Sequence, residues 1–376
     1  MAFSFKGDLK MKKLVIAILP LLLLVSCGNN VDKKNPGDPL ILTSIEMSNT
    51  YGDATLIQYQ NYDILIDTGT RNDAPHINTV LREKVSDKTL ELVIFTHPHG
   101  DHIGGFINNA LLGIAVNSIV DFGYTYQTNG SDEIDNSGFY NSYQIGRYNF
   151  INNGTKYFAI NEALTNLKTI EIDKNQDCYL KWLKNDYYVN KGEVFPNEKV
   201  PSDNPNTTSV SCYVHYKKWN ILLCGDADSM YTEQSIINNH LNLFKNERVI
   251  LKATHHAANS SDGYNFLEWC HPELIYISAA MVNSVCVPNQ VTIGTSDGAQ
   301  AHPSRSTLKR LLQTTDNVYW NAINGDLTIK IDGINDASVQ GNGRNKDYYD
   351  KEGNIASKEN EKDVTIKNSK FYEYFK

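Results

Sequence analysis

Residues Leu90–Gly105 read LELVIFTHPHGDHIGG, an apolar run that ends in a turn crowded with metal-type ligands. Leu90–Phe95 has the length and composition of a buried strand. Directly after it, His97, His99, Asp101 and His102 fall within six residues, and three of the chain's ten histidines sit in this one turn. Pro98 and Gly100 bend the backbone, so a rigid strand end can aim several side chains into one pocket. Imidazole and carboxylate together suit zinc, or iron or manganese, better than magnesium or calcium.

Working outward, other apolar runs end in the same kind of residue. Ile64–Asp67 closes on IDTGT and places Asp67 at a strand end, Ile221–Cys224 leads into Gly225 and Asp226, and Arg248–Ala253 leads into Thr254, His255 and His256. Ligands brought from separate strand ends are what a site at the rim of a mixed sheet needs. Ile41–Met47, Thr55–Gln60, Ser118–Phe122 and Val210–His215 also read as strands, the last turning back across Lys217 and Lys218. Helical spacing marks 75–85, a segment after Gly104 and Gly105 that runs to about Leu112, then Met230–His240 and Tyr264–Cys270. Leu274–Ala279 follows as a strand, and Ser304 is placed to cap a helix that runs to Leu312. Val318–Asn321 and Leu327–Ile331 read as strands closing the domain around an Asn324–Gly325 turn.

Between about 123 and 202 the periodicity dissolves into Asn, Tyr, Ser and Gly, which predicts an aromatic-rich insertion over the site. Its rings, among them Tyr124, Tyr140, Tyr143, Tyr157 and Trp182, are expected to form the insertion's own small core. Stacking on sugars or caging a quaternary ammonium is the other reading. Residues 336–376 have little apolar periodicity and are expected to be a solvated polar tail.

With these residues in view, HxHxDH followed by GG, a GD after an apolar strand and a later HH resemble the metallo-β-lactamase superfamily. NTTSVSCYVHYKKWNILLCGDAD, LKATHHAANSS and AHPSRSTLKRL are similar to one branch of it, which includes the lactamase-like domain of competence DNA-import proteins and the phosphorylcholine esterases. The resemblance implies an α/β fold, an αββα sandwich of two mixed β-sheets flanked by helices, spanning 40–335 and carrying the insertion. It implies two divalent metal ions, zinc first and manganese or iron as alternatives. His97 and His99 would hold the first, Asp101, His102 and His255 the second, and Asp226 would bridge both. Asp67 would orient the cluster from behind. Between His255 and His256 the choice stays open at this point, because neighbours on an extended segment point opposite ways. Asn206 stands in the slot where many relatives place a further histidine, which leaves the first metal more open. Besides Asp101, His256 and His302 are the candidates for contacting substrate or assisting a leaving group. His215 reads as an ordinary strand residue, and His76, His240 and His271 as surface or structural.

The chain begins with features of another kind. Met11, Lys12 and Lys13 precede the apolar run Leu14–Val25, which ends in LVSC at Cys27. Twelve apolar residues are too few to span a bilayer and fit a secretory signal. The ending resembles a bacterial lipobox, so 1–27 is expected to be an upstream extension plus lipoprotein signal, and 28–39 a tether from a lipidated Cys27 to the domain. This places the protein at the cell envelope and leaves open which membrane. Losing Lys6, Lys10, Lys12, Lys13 and Asp8 takes the formal charge from −8 to −11. So acidic a surface disfavours a nucleic-acid partner and favours a small-molecule or cell-surface substrate. The five remaining cysteines show no CxxC pair, and no disulfide framework is expected. The expected activity is hydrolysis by a metal-activated water, of phosphoester bonds first. DNA cleavage, lactone, amide or lactam hydrolysis, and non-catalytic glycan or choline binding are the alternatives.

Overall fold

The computed structural model describes residues 37–48, 50–126, 138–195, 197–280, 302–333, 335–344 and 361–374. The signal and lipidation site expected at 1–27 lie outside the described residues. The chain lays down β1 (Leu40–Ser44), β2 (Thr55–Tyr59), β3 (Tyr62–Ile66), α1 (Ala74–Lys84), β4 (Thr89–Leu90), β5 (Leu92–Ile94) and α2 (Gly100–Ile107). Next come β6 (Ala115–Val116), β7 (Ser118–Asp121), β8 (Thr125–Tyr126), α3 (Phe139–Asn152), β9 (Lys156–Ala159), α4 (Ile160–Asn166), β10 (Thr169–Asp173) and β11 (Cys178–Leu183). Then follow β12 (Val194–Phe195), β13 (Ser211–Tyr216), β14 (Trp219–Leu223), α5 (Thr232–Asn239), β15 (Arg248–Lys252), α6 (Tyr264–Cys270) and β16 (Leu274–Ile277). The last elements are α7 (Arg305–Thr314), β17 (Val318–Trp320), α8 (Asn321–Asn324), β18 (Leu327–Ile331) and β19 (Ser338–Gly341).

Two mixed sheets result. The larger has the order β19-β18-β1-β2-β3-β5-β7-β9, the smaller β10-β11-β13-β14-β15-β16-β17. In each, one half is antiparallel and the other parallel, the change falling after β3 in the first and after β14 in the second. Side-chain alternation then builds the layers. Ile221, Leu223 and Ile250 meet Leu42, Ile57 and Ile64 between the sheets, where Thr55 also touches Tyr276, while Val93 lies on the opposite face of the first sheet, in the same cluster as Ile77, Leu81 and Ile103 from its helices. Leu222, Val249 and Leu251 point the other way, onto Ile236 of α5, Phe266 of α6 and Leu308 of α7. Each sheet thus has one face on the other sheet and one under helices, the αββα arrangement.

Four expectations change. The HxHxDH turn does not precede its helix: α2 begins at Gly100, so Asp101 and His102 lie in its first turn and the two glycines within it. A Cβ on Gly105 would collide with the backbone oxygen of Thr68, so glycine lets α2 press on the loop after β3. The predicted insertion is largely part of the framework, because β9 extends the first sheet and β10 and β11 extend the second. Its aromatics pack into the shared core: Tyr140 and Tyr143 lie beside Phe122, and Phe95 meets Tyr143. An ion pair of Arg147 with buried Asp121, joined by the hydroxyls of Tyr143 and Tyr157, fixes α3 and β9 to β7. No 2-residue alternation marked these strands because their exposed faces carry Tyr and Ile as readily as Lys. β17 and β18 are not a hairpin: α8 separates them and they belong to different sheets. The polar tail supplies the edge strand β19, and Ile366 and Phe371 are buried against the second sheet. Among the described residues no helix is long and apolar enough to cross a membrane. Cys178, Cys212, Cys224 and Cys270 are buried free thiols, while Cys286 lies outside the described residues.

Candidate metal centre

The loops that follow β3, β5, β14 and β15 meet at one rim, where the parallel halves of the two sheets present their C-terminal ends. After β5 the chain passes through buried His97 to His99, which stands at the N-cap position of α2. After β14, Gly225 takes φ +54, in close contact with Thr96, and turns Asp226 inward. After β15 the chain makes a tight turn through His255 and His256.

Asp226 stands at the middle with its two oxygens facing different groups. Oδ1 lies 3.2 Å from Nε2 of His102 and 3.4 Å from Nε2 of His256. Asp101 Oδ2 lies 3.4 Å from the same His256 nitrogen and 3.8 Å from that of His102. Ligands about 2.1 Å from a tetrahedral cation are separated by about 3.4 Å, so these spacings fit one. The other oxygen, Oδ2, lies 3.7 Å from Nε2 of His97, which is 3.1 Å from Nδ1 of His99. The chain therefore brings together two sets of donors that share Asp226.

The donor chemistry tests the fit directly. His102 Nε2, Asp226 Oδ1 and His256 Nε2 are buried and make no aligned hydrogen bond, a costly state for polar atoms unless a cation takes their lone pairs. The opposite ring edges are engaged. His102 Nδ1 is 2.8 Å from Asp67 Oδ2, and His256 Nδ1 is 2.9 Å from the Ser278 carbonyl, so both rings donate there and turn Nε2 to the centre. Asp67, itself at φ +58, also accepts from the Thr96 amide and hydroxyl.

The expected assignment of His255 to the second metal is corrected by this placement. His256 occupies that position. His255 instead lies toward Asp226 Oδ2, at 3.6 Å, and receives Nδ2 of Asn206 at 3.1 Å. Sequence could not decide between them because the strand rule does not apply: both residues are left-handed, with φ +46 and +51. Asn206 reaches the centre from a short turn ahead of β13, and its Oδ1 is buried without a hydrogen bond. His302 also comes to the rim, its ring 5.1 Å from His255 and 4.1 Å from Tyr51. A cavity of about 400 Å³ opens there, lined by Tyr51, His99, Gly100, Asp101, Asn204, Asn206, Asp226, His255 and His302. His215 sits elsewhere, between Asn220 and Asp177, and His76 pairs with Asp326.

The electrostatics follow from burial and crowding. Burial, aided by His102, holds His97 well below the ordinary histidine value, and burial pushes His255 down to about 3. Burial also opposes charge on His102, yet Asp226, Asp67 and Asp101 together hold it well above that value. Asp226 stays well below the carboxylate range despite burial, because His102, His256, His255 and His97 surround it.

Two buried charges escaped the sequence reading. Asp53 belongs to the same group of potential ligands as His102, Asp226 and His256, and Lys252 forms an ion pair with it. Asp53 approaches the Nδ1 edges of His256 and His102, at 3.4 and 3.9 Å, whereas Asp101 faces their open Nε2 edges. Asp101 is therefore placed to ligate and Asp53 to back the rings. The signal was a lysine at the end of the apolar run RVILK, since lysine is almost never fully buried unless paired.

A family model described as the Metallo-beta-lactamase superfamily matches residues 48–113. No curated protein matches the chain. Among solved structures, the chain is similar to the metallo-beta-lactamase fold protein YhfI from Bacillus subtilis, at 13% identity and TM-score 0.36, covering 75% of this chain and 96% of that one. It is similar also to the short form of human tRNase Z, at 14% identity and TM-score 0.35, covering 63% and 91%. A third is Igni18, a metallo hydrolase from the archaeon Ignicoccus hospitalis, at 12% identity and TM-score 0.38, covering 77% and 98%. The matched segment carries the HxHxDH turn, and the layered sheets and ligand cluster agree with it. The chain has the α/β metallo-β-lactamase fold, with mixed sheets flanked by helices and a candidate metal-binding cluster at their rim.

Proposed function

We propose that the protein hydrolyses phosphoester bonds of a small or cell-surface substrate, using two divalent cations, with zinc the first candidate. The observation that carries the reading is Asp226, whose two oxygens face two separate donor sets at the floor of an open cavity. His97, His99 and Asp226 would hold one cation, and Asp101, His102, His256 and Asp226 the other. When bound, such a pair supplies Lewis acidity and a water acidified to a pKa of about 7.

The chain's own residues do the rest. Asn206 and Asn204 offer amide groups to substrate oxygens at the mouth, and Tyr51, its ring tilted against that of His302, forms one wall. His255, neutral at ordinary pH, acts as a hydrogen-bonding partner of the substrate or leaving oxygen rather than as a fixed charge. His302 is placed beside it to hand a proton to the departing alkoxide. No lysine or arginine lines the cavity among the described residues. This supports a singly charged diester over a long nucleic-acid strand, whose phosphates need many cationic contacts. The similarity of LKATHHAANSS and the Asn206 slot to the phosphorylcholine esterase branch supports the same choice. The LVSC ending supports anchoring at the cell envelope through Cys27.

The test is hydrolysis of bis(p-nitrophenyl) phosphate, a chromogenic lactam, p-nitrophenyl acetate and DNA by the metal-stripped and reloaded protein. Diester hydrolysis should vanish on stripping and return with zinc or manganese. Full activity after stripping, or turnover of the lactam or acetate alone, would sink the proposal.

A further inference from the structure

His255 (φ +46), His256 (φ +51) and Ala257 (φ +61) are three consecutive left-handed residues, none of them glycine. Residues with a Cβ visit this region singly, because the Cβ crowds the following carbonyl, so a run of three needs outside support. The run has a consequence at the centre. On an extended segment neighbouring histidines diverge, whereas here His256 reaches Oδ1 of Asp226 and His255 lies near Oδ2.

Glu233, buried in the first turn of α5, is the support. Its Oε1 accepts the Thr254 hydroxyl at 2.9 Å and the Asp262 amide at 2.6 Å, and its Oε2 accepts the Gly263 amide at 2.9 Å. Asp262 in turn accepts the Thr254 amide at 3.0 Å. One carboxylate therefore clasps both ends of the loop that contains the left-handed run. It does so from the segment that follows Asp226, and the two segments are joined again by the His255 amide on the Gly225 carbonyl and the Ser229 amide on the Ser260 carbonyl.

We infer that Glu233 is a positioning residue for the second cation: by closing the Thr254–Gly263 loop it holds His256 in the left-handed turn that aims Nε2 at the donor set of Asp101, His102 and Asp226. The inference rests on the two-cation reading above. It distinguishes positioning from general stabilisation because Ala257→Gly, which accepts positive φ without strain, should make the clasp less necessary.

Cobalt(II) is titrated into the full-length metal-free protein, read by calorimetry and by its d–d absorption. The wild type should take up two equivalents. Glu233→Ala should bind the first as before and the second about 10- to 100-fold more weakly, the usual effect of losing a group that orients a ligand. Adding Ala257→Gly should recover most of that loss and the four-coordinate spectrum. A folded Glu233→Ala that binds both equivalents with wild-type affinity and spectrum would overturn the inference, as would a failure of Ala257→Gly to recover any of the loss. If Glu233→Ala does not fold, Glu233→Gln, which keeps one acceptor oxygen, serves in the same comparison, and unchanged second-site affinity overturns the inference there too. A wild type that takes up fewer than two equivalents refutes the two-cation reading itself.

Discussion

Two histidine-bearing turns feed the same centre by opposite means. The His97–His102 turn uses regular geometry: a buried strand ends, α2 starts directly after His99, and the first helical turn presents Asp101 and His102. Its backbone is of a kind that its local sequence favours, and Asp67 then fixes the His102 ring from the loop after β3. The His255–Ala257 turn follows an equally regular strand, β15, but then adopts a backbone its residues resist. It depends on groups far away in sequence: Glu233, Ser278, and Ser304, whose amide binds the Ala257 carbonyl. One turn is specified locally and the other is imposed.

Replacing the two adjacent histidines one at a time separates their roles. His256→Asn should remove one equivalent of bound metal and lower turnover on the order of 10³-fold, since several kcal/mol of charge stabilisation depends on that cation. His255→Asn should leave metal content at two equivalents and lower turnover on the order of 10²-fold, the range for a lost hydrogen-bonding or proton-transfer group. Metal analysis beside kcat for both variants checks it. Metal loss confined to His255→Asn would restore the original assignment of His255.

The local turn should fail through packing instead. Gly105→Ala forces a methyl against the Thr68 carbonyl, and is expected to destabilise the fold by about 2 to 3 kcal/mol, measured by urea unfolding. A change under about 0.5 kcal/mol would mean that α2 does not press on that loop as described.

The imposed turn should be the more sensitive to pH. Burial, with Asp262 adding, raises the Glu233 carboxyl from 4.5 to about 8. Because the folded value lies above the unfolded one, the folded state holds the proton more tightly. The resulting stability is complete below about pH 4.5 and is lost as pH rises through about 8. The Tm of the metal-free protein should therefore fall by a few degrees over that window, and Glu233→Gln should flatten the decline. Indistinguishable pH profiles for the two proteins would show that Glu233 does not carry this pH dependence.

Legibility in the sequence divides along the same line. β2, β13, α6 and the N-cap Ser304 fall where periodicity and capping chemistry put them, to within a residue or so. The framework strands β9, β10 and β11 did not, because a strand at or near a sheet edge tolerates polar and aromatic residues on its open face and loses the alternating signature. The same holds for β19, whose pairing with β18 no local pattern announces.

The donor chemistry and its grouping are written in the chain itself: three histidines and an aspartate in six residues, a GD and an HH, each after an apolar run. Ligand identity is a property of residue type and near neighbours, so it survives in one dimension. Tertiary structure alone decided which of two adjacent histidines faces the second cation, and that Asp53, Lys252 and Glu233 stand behind it. Those outcomes depend on a left-handed backbone and buried charges held by partners 20 or more residues away, as Glu233 is from Thr254 and Asp262. Contacts of that range carry no local pattern, and only the closing of the two sheets on each other brings them into force.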